Sequence, residues 1–325
     1  MAVEQDWEFP RDLQPKPAEL GFDLDAVLAS VLGLHAEVAE DAFTAGTLGT
    51  ERSGNGIVIR EDGLVLTIGY LITEAKTIWL TTHKGTAVGG YPLAYDQATG
   101  FGLVQALGRL GLPALPRGSA ANVNRGDPVI LAAHGGRGHC LKAKVIAKHE
   151  FAGYWEYVLD EALFTAPAHP HWGGAALIDQ TGKLAGVGSL LVEEKSGDKE
   201  VQGNMVVPID LLEPILDDLL TYGRVNRPPR PWLGFYATEI KSHVAVAGLA
   251  KGGPAESAKI EVGDVVLEVA EEPVVSLADL FRKIWKCGDA GVEVPLTLAR
   301  GGGQLHTVKV RSADRASFLQ KPKLH

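Results

Sequence analysis

From Thr44 to Val206 the chain runs in short apolar stretches rich in β-branched residues and broken by Gly, Asn and Asp. "GNGIVIREDGLVLTIGYLI" predicts a hairpin, since Asp-Gly suits the tight turn between two strands. "KTIWLTTHKGTAVGGYPLAY" reads as a second hairpin, and "DPVILAAHG", "CLKAKVIAKHEF" and "YWEYVLDEALFTA" as further strands. At least eight such runs with no helix between them predict an all-β barrel or double barrel. Two stretches have helical spacing instead. "DLDAVLASVLGLHAEVAE" predicts a helix capped by Asp23 or Asp25. "PIDLLEPILDDLLTYG" predicts one with Leu212, Ile215, Leu216 and Leu219 on one face, Pro214 near its start and Gly223 as its stop. After the stiff "RVNRPPRP", a smaller unit alternates strands with a helix, "SLADLFRKIWKCG", capped by Ser276 with Leu277, Leu280 and Ile284 toward the core.

Composition narrows the function. The 325 residues, 46% hydrophobic and 22% charged, suit two soluble domains. A formal charge of -9 without a basic run argues against nucleic acid as a partner. Cys140 and Cys287, far apart, give neither a disulfide framework nor a metal-binding Cys spacing. The N-terminus lacks a basic region followed by an apolar run, and no stretch approaches the ~18 apolar residues of a membrane span. The expectation is a cytoplasmic chain.

The order of landmarks resembles the HtrA family, trypsin-like serine proteases with a C-terminal PDZ domain. "SGNGIVIREDGLVLT" resembles the first hairpin of the protease barrel and "YDQATGFGLVQA" the segment carrying the catalytic Asp. "LPALPRGSAANVNRGDPVILAAHG" is similar to the crossing into the second barrel, and "MVVPIDLLEPILDDLLTYGRVNRPPRPWLGF" to the closing helix and the start of the PDZ domain. The resemblance implies a mainly β fold: a short N-terminal helix within an extension (1–43), a trypsin-like double β-barrel (44–223), a linker (224–231), one PDZ domain (232–312) and a tail (313–325).

Carried over position by position, the family's chemistry meets the wrong residues. Catalysis there needs Ser as nucleophile, His as base and Asp to orient it. The His position falls on Tyr70 in "TIGYLI", and the Asp position on Gly100 in "TGFGL". The Ser position falls on Gly173 in "HWGGAAL", or on Trp172 in the alternative register. In the first register His171 supplies the upstream oxyanion N–H. Ser189 resembles the strand beside the substrate. The expectation is therefore a non-catalytic homologue, a pseudoprotease acting as scaffold, adaptor or regulator. Two alternatives stay open: a metal-binding protein using His169 and His171, and an active serine endopeptidase with an unmatched site. No cofactor is expected beyond a transition metal at those two histidines. His134 and His139 read as a solvated loop, and Glu193, Glu194, Asp198 and Glu200 as a charged one.

The PDZ resemblance implies that peptide or protein C-termini bind as an added strand, their carboxylate held by the backbone of "PWLGF". It points to Trp232, Leu233, Gly234 and Phe235 in that loop. Phe281 and Trp285 are read either as groove lining or as ordinary packing. Family members trimerise through the N-terminal part of the protease domain, so Trp7 and Phe9 are candidates for subunit contacts or for packing on their own barrel.

Overall fold

A computed structural model describes residues 7–196, 199–301 and 303–321. It is mainly β, as expected. Strands β1 (Val31–Val38), β2 (Glu51–Arg60), β3 (Leu64–Ile68), β4 (Ala75–Thr81), β5 (Ala87–Tyr95) and β6 (Phe101–Ala106) close a barrel in the order β1-β2-β3-β6-β5-β4. Strands β7 (Pro128–Ala132), β8 (Cys140–Gly153), β9 (Tyr157–Ala166), β10 (Ala176–Ile178), β11 (Leu184–Ser196) and β12 (Lys199–Pro208) close a second. Read from β7, its order is β7-β8-β9-β12-β11-β10, the same permutation as the first. Closure leaves neither barrel an open edge.

The expected N-terminal helix is mostly a strand. Helix α1 covers only Leu24–Leu28, with the Asp23 carboxylate accepting from the N–H groups of Asp25 and Ala26. From Val31 the chain is β1, paired with β2 on one side and β4 on the other. Leu32, Leu34, Ala36 and Val38 are buried, while His35 is half-buried and Glu37 exposed. That period of two suits a strand with one face inward. The first barrel therefore includes residues read as an extension.

Helix α2 (Ala45–Leu48) joins β1 to β2, and α3 (Glu213–Tyr222) follows the second barrel. Leu212, Ile215, Leu216 and Leu219 are buried, Pro214 lies in the first turn of α3, and Gly223 ends it at φ 68°. The remaining elements are β13 (Phe235–Ile240), β14 (His243–Leu249), α4 (Pro254–Ser257), β15 (Val265–Val269), β16 (Glu272–Pro273), α5 (Leu277–Lys286), β17 (Glu293–Arg300) and β18 (Gln304–Arg311). Their sheet runs β13-β14-β15-β17-β18, with β16 on β15, and Ser276 caps α5 through the Asp279 N–H.

The chain divides into two compact units, and the division is not linear. The second unit comprises Asn226–Leu319 together with Glu150–Asp160, the tip of the β8–β9 hairpin. Its core joins Phe235, Val246, Leu280, Phe281 and Leu296 to Val158 from that tip. The first unit holds both barrels.

Candidate active site and peptide groove

The loop 169–174 is organised by a residue that sequence reading passed over, Asn55 on β2. Its Nδ2 donates to the carbonyls of His171 (2.9 Å) and Gly173 (3.0 Å), and its Oδ1 accepts the His134 N–H at 2.8 Å. Its own N–H donates to Gly173 O at 2.8 Å. The glycine pair is explained by this packing. Gly174 has φ 76°, and a Cβ there would lie 2.0 Å from Asn55 O. The backbone that approaches the pair is thus the chain's own.

The positions matched to the family triad are neighbours. A Cβ on Gly173 would lie 2.9 Å from Tyr70 Oη, and Gly100 O accepts the N–H of Gly69 at 2.7 Å. The Tyr70 hydroxyl donates to Ser189 O at 2.8 Å. Burial pushes this phenol well above its ordinary range, so it stays protonated and serves as a structural donor. The N–H of His171, expected to face an oxyanion, instead donates to His169 Nδ1 at 3.0 Å. It is already used within the loop.

His169 is fully buried. Its Nε2 contacts His139 O at 3.0 Å, so the ring carries its proton there and accepts at Nδ1. Burial lowers its pKa to about 4 against the opposing pull of the His139 carbonyl, with a smaller lowering from the nearby His171 and His139 rings. With both ring nitrogens engaged, His169 has no lone pair for a metal. Among the described residues no three His, Cys, Asp or Glu side chains cluster to hold one. His171 lies stacked on Trp7, ring centroids 5.0 Å apart. Trp7 and Phe9 pack on their own barrel: Phe9 N donates to Gly138 O at 2.9 Å, and its ring meets His169 edge-on. His134 and His139 are part of this assembly and not a solvated loop. Glu193, Glu194 and Glu200 lie on the β11–β12 hairpin, while Asp198 is outside the described residues.

These groups border a cleft of about 780 Å³ lined by Tyr70, His134, His171 and Trp172, and also by His35, Glu51 and Ser53. His35 Nδ1 and Ser53 Oγ are 3.1 Å apart. They face each other across the β1–β2 pair, with Glu37 opposite Glu51 at the next position on that face. Reading residues 31–38 as helix hid this pairing. The signal that could have found it is the alternation of "LGLHAEV" against "ERSGN".

In the second unit, Gly234 takes φ 75° and turns the "PWLGF" loop so that the N–H groups of Leu233 and Gly234 converge. Both donate to one acceptor, Glu156 Oε1, at 3.1 and 3.2 Å. Burial raises the Glu156 carboxyl to about 8, against the pull of those two N–H groups and of Arg315. The remaining groove candidates divide. Trp232 is buried with its ring on Phe318, and Phe235 and Phe281 are in the core. Trp285 is half-buried, stacked on Phe281, with the Arg230 guanidinium 4.1 Å from its ring centroid.

Residues 54–187 match the trypsin-like peptidase domain and residues 231–311 the PDZ domain. A probable periplasmic serine endoprotease DegP-like of Pseudomonas fluorescens is 24% identical over 77% of this chain and 54% of its own length. The chain thus spans about half the length of the DegP-like relatives it matches. The serine protease Do-like HtrA of Bacillus subtilis is 20% identical over 93% of this chain and 74% of its own. Among solved structures, the HtrA-type protease AlgW with a decapeptide superposes with a TM-score of 0.53 at 17% identity, covering 92% of this chain and 99% of that one.

Two expectations are corrected by these likenesses. The absence of enzymatic activity, inferred from Tyr70, Gly100 and Gly173, is contradicted by relatives named as serine endoproteases. The cytoplasmic location is overturned by DegP-like relatives named as periplasmic. No helix among the described residues is long and apolar enough to cross a membrane. In its architecture the chain is a trypsin-like peptidase fold followed by a PDZ domain, the arrangement of the HtrA-type proteases it is similar to.

Proposed function

We propose that the chain is an HtrA-type serine endopeptidase of the periplasm, cutting polypeptides with Ser53 as nucleophile and His35 as its base, and recognising peptide C-termini through the PDZ unit. The observation that carries this is the 3.1 Å contact between Ser53 Oγ and His35 Nδ1 in the cleft. With Tyr70, Gly100 and Gly173 at the family positions, a nucleophile has to come from elsewhere in that cleft. Ser53 is exposed, and the next residue, Gly54, abuts the Gly173 carbonyl: a Cβ on it would lie 2.7 Å away. In the step proposed, Ser53 Oγ attacks the scissile carbonyl while its proton passes to His35 Nδ1. The imidazolium then protonates the leaving amine, and water hydrolyses the acyl-enzyme. Glu37 and Glu51, opposite each other at the next position on that face, place negative charge on one side of the pair for the imidazolium.

The test is degradation of unfolded casein at neutral pH, with and without a chelator, by the native chain and by Ser53→Ala and His35→Ala. Chelator-indifferent cleavage is expected, with kcat/KM lower by at least ~100-fold in each variant. A fluorophosphonate should label Ser53, read by mass spectrometry. Cleavage unchanged in both variants, or none by the native chain, overturns the reading.

A further inference from the structure

The hairpin tip sits where a PDZ ligand would. Among the described residues β13 is the edge strand of its sheet, with β14 as its one neighbouring strand. On its other edge the N–H of Ala237 donates to Tyr154 O at 3.0 Å. Two residues further along the tip, Glu156 puts Oε1 of its carboxyl group on the N–H groups of Leu233 and Gly234. An edge strand donating a backbone hydrogen bond, preceded by a glycine-containing loop whose N–H groups hold a carboxyl group, is how a peptide C-terminus is captured. Glu156 holds φ 60°, a conformation that a non-glycine residue keeps only where its surroundings impose it. The tip is also tied to α5, where Arg282 pairs with both Glu150 and Asp160. Tyr154 meets Tyr236 edge-on, and Val158 enters the core.

We propose that residues 154–156 are an internal ligand of the PDZ groove, with the Glu156 side chain standing in for a terminal carboxylate, so that an external C-terminus binds only by displacing the tip. The proposal rests on the reading of this groove as a site for peptide C-termini. The partner it fits is a free carboxylate preceded by residues able to pair along β13 and to displace aromatic Tyr154 and Trp155. A peptide lacking a terminal carboxylate has nothing to offer the loop in exchange for Glu156.

The probe is fluorescein-labelled Gly-Ser-Gly-Tyr-Trp-Val with a free carboxyl terminus, and the same peptide amidated. Both are titrated by fluorescence anisotropy into the full chain, Glu156→Ala and Arg282→Ala. Amide hydrogen exchange at Leu233, Gly234 and Ala237 is followed in parallel, and circular dichroism confirms the fold of each variant. Glu156→Ala is expected to bind the acid at least ~10-fold more tightly than the native chain, and Arg282→Ala a few-fold, with the amide binding to none. Exchange at the three N–H groups should accelerate in Glu156→Ala. Equal, carboxylate-dependent affinity in native chain and variants, with unchanged exchange, overturns the internal ligand. Faster exchange without binding of the acid to any of them upholds the seated tip and overturns the groove as a peptide site.

Discussion

His169 shows how far one buried ring can couple a loop to pH. Its imidazole is neutral, donates to His139 O and accepts from His171 N, so protonation at Nδ1 removes the acceptor that holds the His171 N–H. The folded-state pKa of about 4 lies below the ordinary 6.5. For a base with a depressed pKa, the stability it contributes is complete above 6.5 and is lost as pH falls from 6.5 through 4. The difference is worth roughly 3 kcal/mol. In an NMR titration one imidazole should therefore keep neutral-form shifts down to about pH 4, while urea midpoints fall across the same window. A ring assigned to His169 that titrates near 6.5 would refute this. None of it was visible in "HPHWGG", because the two neighbours that silence the ring as a metal ligand are His171's own N–H and a carbonyl 30 residues away.

At the scale of elements, the chain was legible wherever a local pattern decides the outcome. The β2–β3 hairpin at "EDG", α3 with its Gly223 stop and the Ser276 cap of α5 all form where expected. β1 was misread because Leu24, Leu28 and Val31 continue a helical spacing into a segment whose later residues alternate, and barrel closure decides between the two. With β1 went the His35–Ser53 pair. The β8–β9 tip was equally opaque, since its partners on β13 lie some 80 residues on in the sequence. It carries a pH dependence of its own. The Glu156 carboxyl, at about 8 when seated, has an ordinary value of 4.5. For an acid with a raised pKa, the seat is most favourable below 4.5 and weakens as pH rises through 8. Arg315 is the charged group that opposes this shift, while Glu150 and Asp160 are paired with Arg282. The free-acid peptide should thus bind the native chain more tightly at pH 8.5 than at pH 6, and Glu156→Ala with little change. The same slope in both proteins would assign the pH effect to other groups.

For the whole molecule, the proline-rich linker suggested a cut that the packing does not respect. A PDZ domain taken as residues 232–312 leaves out the tip, yet Val158, 8% exposed, shares a core with Leu233, Ala237 and Leu280. Losing a buried valine costs about 2 kcal/mol. The unmet N–H groups of Leu233 and Gly234 regain water and add less. In a unit of this size each kcal/mol moves the melting temperature by ~4–8 °C. A fragment spanning Asn226–Leu319 should therefore melt roughly 10 °C below the corresponding transition of the intact chain. A synthetic peptide of the tip, "EFAGYWEYVLD", should restore part of the difference in trans, because it brings back both the core valine and the carboxylate. The same peptide with Glu156→Ala should restore less. Were the fragment to melt with the intact chain's transition and ignore the peptide, the tip would merely rest against this unit, and the linear boundary would be the physical one.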